Sequence, residues 1–202
     1  MHSLVGMSGN LSTGKCIGSD APLLDSLLVT QHNHQIREVV SVGWKAPSAP
    51  WLKVNSNDSV IGNHGACGGL FRDHLGNFLG AFTCNLGISF VFTVEVHSFI
   101  LAMEYAAQNG WTNIWLESDS TSALLVFKNR SLVPDLLRNG WHNACSLGIH
   151  IISSHIFREG NCYADKLANM GHSVHGAVWL STLPLDLQAE FYSRRCGMPR
   201  YR

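Results

Sequence analysis

His155 and Asp165 lie ten residues apart, on either side of a short polar turn. The apolar residues Ile149, Ile151 and Ile152 lead a strand toward His155. Asn161 then stands where a helix begins, with Ala164, Leu167 and Ala168 at helical spacing. Asp165 falls in the first turn, where the helix dipole favours a carboxylate. An imidazole facing such a carboxylate suits acid–base or metal chemistry, and a capped surface helix beside an ordinary histidine fits the same residues equally well. Two more acidic residues stand at similar places: Glu95 in the first turn of a helix and Asp119 at the end of a strand, where open α/β sheets hold their ligands. Carboxylates gathered at one sheet edge repel one another unless a cation neutralises them, and Mg²⁺ prefers such hard oxygens. Two divalent ions about 3.5–4 Å apart are the usual device for in-line phosphodiester cleavage. Spacing alone supports only a Mg²⁺ site, since each carboxylate taken singly also reads as a helix cap.

The elements that must position these residues begin after Pro47 and Pro50. Trp51–Ser56 alternates as a half-buried strand does, with Trp51, Lys53 and Asn55 on one side and Leu52, Val54 and Ser56 on the other. A second strand is expected over 65–72, a turn over 73–77 and a third strand over 78–84. Helical spacing runs over 93–110, closed by Gly110, and a short strand over 112–116 leads to Asp119. Ser118 or Asp119 is positioned to cap a helix over 121–127. A helix over 134–147, a strand over 149–155 and a helix over 161–171 complete the order. Three antiparallel strands followed by alternating helices and strands imply an α/β fold with a mixed five-stranded sheet and helices on both faces. Residues 1–48, rich in Ser, Gly, Asn and His, read as a lead-in with one short helix; 49–172 is the domain and 173–202 an appended tail.

A hydrophobic content of 46% against 14% charged residues supplies a core and argues against wholesale disorder. Lys and Arg number 14, and so do Asp and Glu, which gives no general basic surface for tight nucleic-acid binding. The six cysteines include no C-x-x-C pair and read as reduced thiols of a nuclear or cytoplasmic protein. No apolar run is long enough to span a bilayer, so no membrane partner is expected. Gly9-x-x-x-x-Gly14-Lys15 imitates a phosphate-binding loop, but Cys16 stands where a metal-binding Ser or Thr is needed and no strand precedes it.

Five segments in order resemble one family: Trp51-Leu-Lys-Val-Asn55; Gly68-Gly-Leu-Phe-Arg-Asp73; Val94-Glu95; Trp115-Leu-Glu-Ser-Asp119-Ser120; and His155-Ile-Phe-Arg158-Glu-Gly-Asn161 with Ala164-Asp165. They are similar to the plant retrotransposon-derived RNase H-like family, the type-1 ribonuclease H domain often found at the end of non-LTR reverse transcriptases. The resemblance runs over roughly residues 38–172. It implies an endonuclease that hydrolyses the RNA strand of an RNA–DNA hybrid with two Mg²⁺ ions held by four acidic residues, assisted by a mobile histidine. By motif, Glu95, Asp119 and Asp165 match three of those carboxylates, and His155 matches the histidine. The first carboxylate departs from the pattern. Asn55-Ser56-Asn57-Asp58 stands where the family reads Asn-Thr-Asp-Gly, so Asn57 occupies the aspartate position and Mg²⁺ affinity and cleavage are expected to fall. Asp58 replaces it only if a bulge or a one-residue slip turns the strand. The rival expectation is a non-catalytic nucleic-acid-binding or interaction module on the same fold.

Among candidate nucleic-acid contacts, Arg158 is placed for a phosphate, or equally for a salt bridge with Glu159 or Asp165. Asn161 lies in the same segment. Gly68 and Gly69 serve backbone geometry or a close approach of the hybrid. Lys128, Arg130 and Arg138 make only a mildly basic patch, so weak, salt-sensitive hybrid binding by a monomer is expected.

Overall fold

In the computed structural model, the described residues are 41–42, 44–195 and 200–201. The lead-in, with its imitation phosphate loop, falls largely outside them. Its described end is a two-residue strand, β1 (Ser41–Val42), paired with β8 (Arg200–Tyr201).

The main sheet is built on a meander of β2 (Leu52–Ile61), β3 (His64–Arg72) and β4 (Phe78–Ile88), all antiparallel. Gly62 turns the first hairpin at φ 64°, in the left-handed region that glycine enters at no steric cost. Asp73 closes the second, accepting from the backbone N–H groups of Leu75 and Asn77. Helix α1 (Val91–Gln108) follows, and then β5 (Asn113–Ser118) returns parallel to β2. β6 (His150–His155) lies parallel to β5. Between them, Thr121–Leu124 forms the short α2, continued as a 3-10 turn through Phe127. Arg138–Cys145 forms α3 after another 3-10 turn over Asp135–Leu137. The side chain of Ser120 caps α2, in place of the expected Ser118 or Asp119.

The strand order is β6-β5-β2-β3-β4-β7, six strands where the sequence suggested five. The sixth, β7 (Ala177–Leu180), comes from the supposed tail and pairs antiparallel with β4. Its Trp179 stacks among Phe71, Tyr105 and Trp111. The following helix α5 (Leu185–Arg195) inserts Leu187 and Phe191 into a core with Leu70, Tyr163 and Leu167, the last two from α4 (Cys162–Met170). Residues 173–195 are therefore part of the folded unit. Helix α1 covers one face of the sheet with Val94, Phe99 and Met103 against Val54, Phe71 and Phe82; α4 and α5 cover the other. β2 is thus a central strand buried on both faces, and its polar side chains Lys53 and Asn55 lie inside the protein.

Candidate metal and nucleic-acid site

β2 carries the key residues on alternate faces. It pairs with β3 residue for residue from Lys53↔Arg72 to Ile61↔His64, with no bulge. Strand alternation therefore sends Val54, Ser56 and Asp58 toward α1, and Lys53, Asn55 and Asn57 toward α4. The expectation that Asp58 needs a bulge or slip to reach the acidic cluster is not met. The strand does not stop near Ser56 but runs on to Ile61, so regular alternation brings Asp58 to Glu95.

Asp58, Glu95 and Asp119 converge on a polar cavity of about 230 Å³, lined also by Asn57, Ser120 and Arg158. Glu95 is almost fully buried. Burial, then the nearby Asp58 carboxylate and its hydrogen bond, and then Asp119, raise its pKa from 4.5 to about 9. At neutral pH, Glu95 therefore carries a proton and donates it to Asp58. Burial pushes Asp58 upward too, opposed by that hydrogen bond. Asp119 is also raised by burial, with opposition from a hydrogen bond to its own backbone and from Arg158 and Asn161. Ser118 Oγ donates to Glu95 Oε2 at 3.4 Å and accepts from the backbone N–H of Ser120, tying α1 to the end of β5.

The opposite face of β2 holds the fourth carboxylate. Asn57 Nδ2 donates to Asp165 Oδ1 at 3.2 Å, and the exposed Arg158 meets the same oxygen at 3.4 Å. Of the two readings for Arg158, the structure shows the salt bridge. Asn161 begins α4, but its side chain does not cap the helix. It is buried, with Nδ2 donating to the Ser56 carbonyl at 2.9 Å and to Asp119 Oδ1 at 3.5 Å, so it links β2 to the end of β5. His155 pairs in register with Ser118, next to Asp119, and its exposed ring sits edge-on to Phe157 at the rim. Gly68 and Gly69 are buried. A Cβ on Gly68 would lie 2.5 Å from the backbone of α4, and one on Gly69 would lie 2.4 Å from the Phe82 ring. Both glycines allow close packing of helix and ring on the sheet, the backbone role expected for them.

A buried polar network, missed in the sequence, braces the same strand. Lys53 Nζ is 2.8 Å from Glu117 Oε1 and stands over the Trp115 ring at 3.7 Å. Asn55 donates to Glu117 Oε2 and accepts from Arg72, whose guanidinium stacks on Trp44 at 3.8 Å. Burial lowers Arg72 to about 9, with Glu117 opposing the shift. The available signal was the period-2 run Lys53, Asn55, Asn57, which reads as a solvent face when β2 is taken for half-buried.

Asp58, Glu95 and Asp119 supply the hard oxygens that Mg²⁺ takes. Among the described residues, no three His, Cys, Asp or Glu side chains are already arranged to hold an ion. What fits a cation here is the chemistry of the donors, three carboxylates lining one polar cavity.

The antiparallel meander, the parallel strands beside it and the acidic cavity at their ends define an RNase H-like domain. Residues 55–171 match the model of the family described as reverse transcriptase-like, and the chain belongs to that family. An Arabidopsis thaliana protein named for ribonuclease H is 28% identical over 138 residues, 66% of this chain. The match spans 22% of that protein's length. The RNase H1 crystal structure from Halobacterium salinarum superposes with a TM-score of 0.54 at 25% identity, covering 61% of this chain and 98% of that one. The N-terminal RNase H domain of a Mycobacterium tuberculosis protein gives 0.54 at 23%, covering 61% and 94%. LC11-RNase H1, solved with an RNA/DNA hybrid, gives 0.52 at 19%, covering 58% and 94%.

Proposed function

We propose that this chain binds RNA–DNA hybrids and hydrolyses their RNA strand with Mg²⁺, using Asp58 in place of the aspartate expected at position 57. The observation that carries this reading is the convergence of Asp58, Glu95 and Asp119 on one polar cavity. The named relative and the hybrid-bound neighbour support it. Asp58, Glu95 and Asp119 would hold the metal, with Asp165 at its edge. When bound, Mg²⁺ supplies Lewis-acid stabilisation of the phosphate and a more acidic water.

The chain's own groups do the rest. Glu95, in its ionised form, would supply a metal oxygen beside Asp58, and Asn161 fixes Asp119 from the β2 side. Arg158 is exposed and only loosely paired, so it can turn from Asp165 to a backbone phosphate. Asn57 is neutral and donates to Asp165, which leaves that end of the site with fewer anionic oxygens than a fourth aspartate would give. His155, exposed and paired in register with Ser118 next to Asp119, would assist release of the cut strand.

A labelled RNA–DNA hybrid incubated with Mg²⁺ tests this. Wild type should cut the RNA strand, Asp58→Asn should lose about 10²-fold or more, and Asn57→Ala should lose about tenfold through a looser Asp165. Hybrid binding without cleavage by any variant would instead identify a non-catalytic binding module. The tether of Asp165 to Asn57 and Arg158 is the observation that favours that second reading.

A further inference from the structure

The two edges of the sheet differ in how they are protected. Among the described residues, β6 ends the sheet on one side and β7 on the other. An edge strand offers a row of unpaired backbone groups to any other strand, and proteins blunt it by shortness, lysine, proline or a bulge. β7 is only four residues long. β6 has none of those devices. It reads His150-Ile-Ile-Ser-Ser-His155, without Lys or Pro, and its register with β5 is unbroken from Asn113↔His150 to Ser118↔His155.

The outward side of β6 follows from its hydrogen bonds. The His150 N–H donates to the Thr112 carbonyl at 2.7 Å and the Ile156 N–H to the Ser118 carbonyl at 3.0 Å, both toward β5. Backbone groups alternate along a strand, so those of Ile152 and Ser154 also face β5, and those of Ile151, Ser153 and His155 face the open edge. The Trp115 indole donates to Ser154 Oγ at 2.6 Å, which holds β6 against β5 in this alignment. Ile152 ends a row of directly opposed residues, Lys53–Trp115–Ile152, and is 45% exposed where the row stops.

We propose, in place of the expected monomer, that β6 is a self-association edge on which a second copy of this chain adds its own β6, antiparallel, about a two-fold axis at Ser153. That register pairs Ser153 with Ser153 of the second copy and Ile151 with His155 of the second copy, so every outward N–H and C=O of both strands finds a partner. An axis normal to the sheet keeps each face on its own side. Ile152 then meets Ser154 of the second copy and, diagonally, Ile152 of the second copy, which covers the exposed end of each row. Charge favours a second copy as the occupant. β6 carries no Asp, Glu, Lys or Arg, and the chain's 14 Lys and Arg equal its 14 Asp and Glu, so no net charge holds two copies apart. This edge stands whether or not the carboxylate cavity hydrolyses a hybrid.

Analytical ultracentrifugation of the native full chain, from micromolar to near-millimolar concentration, tests this. The average mass should rise from one chain toward two. Ser153→Pro removes an outward N–H and leaves the bonds to β5 in place, so it should stay a single chain throughout. Ile152→Lys places a charge at the edge and should do the same. Circular dichroism checks that both variants keep the fold. In Ser153→Cys, mild oxidation should link that position to its own counterpart across the axis, as peptide mapping would read. A wild-type chain that stays single at the highest concentration would overturn the proposal and leave the edge to another partner. So would a dimer that both folded edge variants retain, or linkage of the S153C position only to the exposed Cys145.

Discussion

The two faces of β2 treat charge in opposite ways. Toward α4, Lys53, Asn55, Arg72 and Glu117 are all buried, yet their charges are answered within the protein by an ion pair, amide hydrogen bonds and the rings of Trp44 and Trp115. Toward α1, three residues beyond Asn55 on the same strand, Asp58 meets Glu95 and Asp119, with the exposed Arg158 as the one basic side chain among the described residues lining their cavity. The first arrangement is complete and serves the fold. The second is incomplete within the protein, because only that one exposed guanidinium answers three carboxylates whose pKa values are all raised, by burial first.

Breaking the complete face should have the largest effect. Lys53→Met leaves Glu117 buried without its cation and should destabilise the fold by about 3–5 kcal/mol in urea unfolding. Adding Glu117→Met should recover most of that loss, because two apolar groups replace a matched pair. A loss below about 1 kcal/mol for the single variant would erase the distinction between the faces.

The incomplete face should show itself in pH dependence. Glu95 holds a proton up to about 9 in the folded chain against an ordinary value of 4.5. Between those values the folded state binds a proton that the unfolded state lacks, so metal-free stability should fall as pH rises through that window. Glu95→Gln should flatten the slope, as followed by denaturation midpoints at several pH values. An unchanged slope would place the titrating group elsewhere.

The smallest effect belongs to the rim. Arg158 is exposed, so Arg158→Ala should change stability by less than about 1 kcal/mol. It should reduce the salt dependence of hybrid binding by about one phosphate contact. An unchanged salt slope would assign Arg158 to Asp165 alone.

The order of the elements along the chain and the places of Asp119 and Asp165 were legible because hydrophobic periodicity and helix-start signals are local, whereas Glu95, expected in a first turn, lies one turn further in because α1 begins at Val91. What was not legible depends on tertiary cover. Lys53 and Asn55 read as solvent-facing because nothing local reveals that α4, Trp44 and Arg72 bury that side. Residues 173–195 read as a tail because Ala177–Leu180 is too short to announce a strand without β4 beside it. Asp58 was discounted because motif alignment gave its place to Asn57; the length of β2, and hence the face Asp58 takes, became clear only from its full pairing with β3. Gly68 and Gly69 needed their neighbours before they could be read as packing positions.

The central claim is that Asp58, not Asn57, completes the cation site with Glu95 and Asp119. Calorimetric titration of Mg²⁺ into wild type, Asp58→Asn and Asn57→Ala tests it most directly. The account predicts saturable binding to wild type and Asn57→Ala, with proton release from Glu95, and loss of that binding in Asp58→Asn. Binding retained by Asp58→Asn and lost in Asn57→Ala would contradict it.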